Sequence, residues 1–96
     1  MYVPAFAAVP DPEVTREIAR RYPFAVLTTA GALGLYATHI PLSLVGPDRL
    51  VGHLARANPH AGAHDGPALA VFAGPHSLVR SDLYREPHRQ VPTWNY

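Results

Sequence analysis

The chain alternates short apolar segments with proline- and glycine-rich breaks, and the period of each segment predicts its element. Residues 11–21, DPEVTREIARR, place Val14 and Ile18 four positions apart, on one helix face. Asp11 is placed to cap that helix, Pro12 fits its first position and Glu13 favours the positive end of its dipole. Arg20 and Arg21 suit the last turn, and Pro23 ends the helix by biasing Tyr22 out of helical geometry. Residues 24–30, FAVLTTA, are rich in β-formers and predict a strand. GALG at 31–34 turns the chain into a longer strand over 35–45. There Tyr36, Thr38, Ile40, Leu42 and Leu44 share one face, and Ala37, His39, Pro41 and Ser43 the other. GPD at 46–48 leads into a third strand over 49–54. Residues 56–67, RANPHAGAHDGP, read as a loop with one helical turn. ALAVFAG, 68–74, is the most apolar strand and is expected at the centre of the sheet. Residues 75–90 read as irregular and polar, and VPTWNY, 91–96, as the start of a further strand.

Short strands joined by tight turns predict an antiparallel meander: a mainly β (α+β) fold with one N-terminal helix, in a single domain over 1–96. Four or five strands and one helix leave sheet edges open. We therefore expect a partner subunit to cover them, or a C-terminal part that lies outside this sequence. Pro41 interrupts a good strand pattern and cannot donate to a ladder. Its strand should lie at an edge or carry a bulge that frees neighbouring amides and carbonyls.

Composition narrows the chemistry. The 96 residues are 48% hydrophobic, which favours a folded globule, and eleven prolines argue against long helices. With no cysteine, disulfides and thiolate metal sites are excluded. No signal segment and no apolar run of membrane-spanning length is present, so the chain reads as soluble and cytoplasmic, with no membrane partner. The net charge of +1 gives no general pull toward nucleic acid. All eight cationic side chains are arginine, so any fixed cation is a planar, permanently charged fork, and no lysine is available for Schiff-base chemistry.

Candidate sites follow from these residues. GHLARANPH, 52–60, holds Arg56, the sole Lys or Arg between Val51 and Val79, at the junction of a strand and an Asn-Pro break. Its fork matches phosphate oxygens, and a strand-to-turn junction frees backbone amides; the alternative is an ordinary exposed arginine. Six histidines, at 39, 53, 60, 64, 76 and 88, raise a metal or haem site. His60 and His64 have i,i+4 spacing, but Pro59 and Gly62 argue against a helix there, no HExxH pattern is present, and surface loop histidines suffice. No Gly-x-Ser-x-Gly elbow surrounds Ser43, Ser77 or Ser81, and the seven acids are scattered. Trp94 offers a stacking surface or a core-filling side chain.

MYVPAF, YPFAVLTT, THIPL, GHLARANPH, FAGPH and VPTWNY occur in that order from Met1 to Tyr96. Together they resemble the PaiB-type family of FMN-binding negative transcriptional regulators. The resemblance implies an antiparallel split β-barrel of the pyridoxamine-phosphate-oxidase type, as a homodimer with FMN at the subunit interface. On that reading Arg56 holds the FMN phosphate. Thr28, Thr38, His39, Ile40 and Pro41 lie near the flavin ring, with backbone contacts around Pro41, and His53, Asn58 and Trp94 are further cofactor-binding candidates. The family's usual aromatic-rich continuation after GPH is changed here. Leu78 stands for the aromatic, Ser81 for the proline and Leu83 for the tryptophan, while Tyr84 is kept, so that segment's stacking or dimer contacts are not carried over. Family chains also run past VPTWNY, so 1–96 corresponds to the N-terminal part of a longer family domain, an incomplete barrel.

The function implied is a homodimeric, flavin-responsive negative regulator with no catalytic residues and no metal. Contact with DNA comes from the resemblance alone, since no helix-turn-helix pattern is present. The alternatives are a flavin-dependent oxidoreductase of the same fold class, a truncated member without cofactor, and a haem- or metal-binding protein.

Overall fold

The computed structural model describes residues 3–32, 34–63 and 66–95. The helix forms where its caps predict it. In α1 (Pro12–Arg21), the Asp11 carboxylate accepts from the Glu13 amide at 2.8 Å, and the Tyr22 amide closes the last turn on the Ile18 carbonyl at 2.9 Å. Its apolar side is incompletely covered: Val14 and Ile18 are exposed and Ala19 alone in the helix is buried. Arg16 ties the helix to the following layer by donating from Nε to the Pro47 carbonyl at 2.8 Å.

The main sheet has three antiparallel strands in the order β2-β1-β5, built from β1 (Phe24–Gly31), β2 (Gly34–Pro41) and β5 (Ala68–Phe72). Phe24 lies opposite Pro41 at one end of the hairpin and Gly31 opposite Gly34 at the other. Gly34 has φ of 119°, a region that side-chain-bearing residues rarely adopt, so the hairpin turn calls for glycine there. As expected from Pro41, β2 is an edge strand.

Four expectations are corrected. The apolar segment at 68–72 lies at an edge, and β1 is central. A continuous apolar run implies burial on two faces, but here one face of the sheet is bare, and Leu69 and Val71 project from it exposed. The strand expected over 35–45 is divided at Leu42, whose amide donates to the Pro23 carbonyl at 2.8 Å and whose side chain is buried. Beyond it β3 (Ser43–Val45) pairs with β4 (Arg49–Val51) as a separate ladder. The third strand therefore stops at Val51 rather than 54. The segment 75–90 also contains a strand, β6 (Ser77–Val79), which pairs with β7 (Thr93–Asn95).

Strand alternation and register sort the main sheet into two faces. Ala25, Leu27 and Thr29 point the same way as Tyr36, Thr38 and Ile40 of β2 and Ala68, Ala70 and Phe72 of β5. This side carries the core: Ala25 and Ile40, at 1% and 4% exposure, pack with Leu42, Leu27, Leu54, Ala70 and Phe72. Phe24, Leu35, Leu69 and Val71 lie on the opposite side and are exposed. The radius of gyration is 17.4 Å, against about 13 Å for a compact domain of about 100 residues. The architecture is mainly β with one helix, in open antiparallel sheets rather than a closed barrel, consistent with an incomplete split barrel.

Candidate functional site

The buried polar centre of the molecule is a histidine held by two strands. His60, 2% exposed, sits in a 3-10 turn (Pro59–Gly62) that reaches the core-side face of the β1–β2 hairpin. Its Nε2 lies 2.9 Å from Thr29 Oγ1 and its Nδ1 2.8 Å from Thr38 Oγ1. Thr29 also donates its single hydroxyl proton to the Ala63 carbonyl at 2.6 Å. With that proton committed, Thr29 Oγ1 accepts from His60 Nε2–H. In the neutral ring Nδ1 then accepts from the Thr38 hydroxyl, so the protein's own bonds select the Nε2–H tautomer. Tyr36 stacks on the imidazole at 5.6 Å between centroids and 22° between planes. No buried side-chain nitrogen or oxygen among the described residues lacks a partner.

The same turn fixes the loop before it. His60 donates its backbone N–H to Asn58 Oδ1 at 3.0 Å, and Asn58 caps the 3-10 turn. The Asn58 amide in turn bonds the Ala55 carbonyl at 2.9 Å, closing a four-residue turn with Arg56 at its second position. Arg56 is exposed, and among the described residues no hydrogen bond or ion pair engages its guanidinium, as is also true of Arg49, Arg85 and Arg21, the last lying over the Tyr22 ring at 5.7 Å. In contrast, Arg16, Arg20, Arg80 and Arg89 are all paired with carboxylates.

The other sequence-derived candidates fall into separate places. Thr38 and Asn58 meet through His60. Ile40 and His53 line one hollow of about 510 Å³ with Leu27, Leu50, Leu54 and Ala70. Thr28 and His39 project from the opposite face of the sheet, where His39 stacks on Phe24 at 5.8 Å. Pro41 ends β2, and the Cβ position at Gly52 lies 2.8 Å from the Pro41 carbonyl oxygen. Trp94 lies on the β6–β7 ladder, half exposed, with its ring 5.9 Å from that of His76.

His60 itself is a correction. A surface loop histidine was expected, and the ring is buried with both nitrogens engaged by threonine hydroxyls. His64, its proposed i,i+4 partner, lies outside the described residues. Among the described residues no three metal-ligating side chains converge. Thr29 was passed over in favour of Thr28, although period-2 alternation places Thr29 with Ala25 and Leu27 on the core face, where a hydroxyl needs a partner. Among the described residues no helix is long and apolar enough to cross a membrane.

No curated protein matches the chain. A family model does match, over residues 1–96, under the description "putative FMN-binding domain". The chain therefore belongs to that FMN-binding domain family.

Proposed function

We propose that the protein binds FMN through Arg56 and acts as a homodimeric negative transcriptional regulator of the PaiB type, in the cytoplasm. The observation that supports the phosphate assignment is the hydrogen-bonded turn that presents Arg56, whose guanidinium is unengaged among the described residues. A planar fork with its donors free fits a phosphate monoester bidentately.

The ring-side residues fit a flavin in one way. Side chains of Thr38, His39, Ile40 and Pro41 alternate between two faces and do not converge on one ligand. Their backbone does run together along the outer edge of β2, where alternate N–H and C=O groups point away from β1. A heterocycle with donors and acceptors on its rim is recognised from such an edge through main-chain contacts. Thr28, His53, Asn58 and Trp94 are the further proposed contacts. Bound FMN supplies redox chemistry; this chain's residues bind and orient it.

Dimerisation is supported by the bare sheet face with Phe24, Leu69 and Val71, and by the extended shape. A second copy over these surfaces removes apolar area from water. The regulatory role rests on the PaiB resemblance, and the net charge of +1 makes any DNA contact local rather than a broad basic face.

The test is a visible absorption spectrum of the purified protein together with its mass in solution. The proposal expects a flavin spectrum on a particle twice the chain mass, retarding promoter DNA and bleaching slowly with NAD(P)H. Rapid catalytic bleaching supports the oxidoreductase instead. A colourless monomer that ignores added FMN overturns both.

A further inference from the structure

We infer that His60 is the positioning residue of the phosphate seat: it sets the Arg56 turn against the β1–β2 hairpin. The inference rests on the reading of Arg56 as the phosphate ligand.

Between Val51 and Ala68 the chain forms no strand among the described residues, so no backbone ladder locates this stretch; Leu54 packs on the core, and side-chain bonds hold the turn beyond it to the sheet. Three of them do so: Thr29 and Thr38 to the two ring nitrogens of His60, and Thr29 to the Ala63 carbonyl. Two of the three end on the imidazole. From there an unbroken chain of bonds leads back to the arginine. The His60 amide donates to Asn58 Oδ1, the Ala61 amide to the Asn58 carbonyl, and the Asn58 amide to the Ala55 carbonyl, which closes the turn around Arg56.

A ring with hydrogen-bonding atoms at two corners, stacked on Tyr36, holds orientation as well as distance. An apolar replacement would fill the space yet leave the Thr38 hydroxyl and the turn free to choose other orientations. The consequence falls on Arg56. A guanidinium gains from phosphate only when its fork is presented in register, so displacing the turn lowers affinity for the phosphate, while the β2 main chain proposed to face the ring stays in its ladder with β1.

The experiment titrates FMN and riboflavin, which share the ring system and differ in the phosphate, into four proteins: wild type, Arg56→Ala, His60→Leu and the double variant. Wild type should prefer FMN by about tenfold or more, the scale of one charge-assisted hydrogen bond. His60→Leu should lose most of that preference with riboflavin affinity within about twofold of wild type, and the double variant should lose little more than either single change, the signature of coupled residues. Circular dichroism checks the fold. Thr29→Val, which keeps the ring and removes its Nε2 partner, serves where His60→Leu does not fold, with the same loss expected. A wild type without preference for FMN overturns the phosphate reading and this inference with it. A preference lost in Arg56→Ala but intact in His60→Leu or Thr29→Val overturns this inference alone, as does an equal loss of FMN and riboflavin.

Discussion

His60 Nε2 and Thr29 Oγ1 stand 2.9 Å apart inside the protein, and the threonine passes its own proton on to the Ala63 carbonyl at 2.6 Å. One hydroxyl thus satisfies two buried groups, from the loop on one side and the sheet on the other. Removing it by Thr29→Val keeps the shape and strands both partners. An unmet buried polar group costs about 1–3 kcal/mol, so urea unfolding should show a loss on that scale. Thr29→Ser should retain most of the stability, because the hydroxyl is kept. Equal midpoints for wild type and the valine variant would show that the network contributes nothing.

Gly52 marks a second close approach. A methyl group there would lie 2.6 Å from Leu42 Cδ2 and 2.8 Å from the Pro41 carbonyl oxygen. The leucine tip can move, but the carbonyl belongs to the end of β2. Gly52→Ala should destabilise by about 1–3 kcal/mol, the usual cost of overpacking. Gly62→Ala is the control, since nothing lies within 4 Å of its Cβ position, and its change should stay within about 0.5 kcal/mol.

Acid should weaken the N-terminal helix in a defined window. The Arg20 hydrogen bond, and after it that of Arg16, hold the Glu13 carboxyl below its ordinary value of 4.5. A depressed folded value means the stabilisation is complete above about pH 4.5 and is lost as pH falls through the lowered value. Glu13 and Arg20 are exposed and Arg16 is partly so, so the effect is small and screened by salt. Helical ellipticity at low salt should fall below pH 4.5 in wild type, and Glu13→Gln should flatten that part of the curve. An unchanged curve in the glutamine variant would place the acid sensitivity elsewhere.

Local signals proved most readable. Asp11, Pro12 and Pro23 delimit α1 because caps and proline act within a few residues. Alternation gave the two faces of β2 correctly from Tyr36 to Ile40, and Pro41 marked an edge strand. What failed depended on partners far along the chain. The segment Ala68–Phe72 looks central because it is the most apolar strand, and only its pairing with β1 alone shows it to lie at an edge. The break at Leu42 is where the chain leaves the ladder with β1 for the one with β4, and no window of local pattern contains that change of partner. His60 shows the same limit at the site. In sequence it is one of six histidines in a polar loop, and its burial is set by Thr29 and Thr38. Asn58 carried a usable signal, since an Asn-Pro-His run reads as a capped turn.

The central claim is that Arg56 holds the phosphate of FMN, and the most direct measurement is the FMN dissociation constant of wild type against Arg56→Ala. Wild type should bind, and the alanine variant should bind at least about tenfold more weakly with its fold intact by circular dichroism. Equal affinity in the two proteins, or no binding by wild type, would contradict the account.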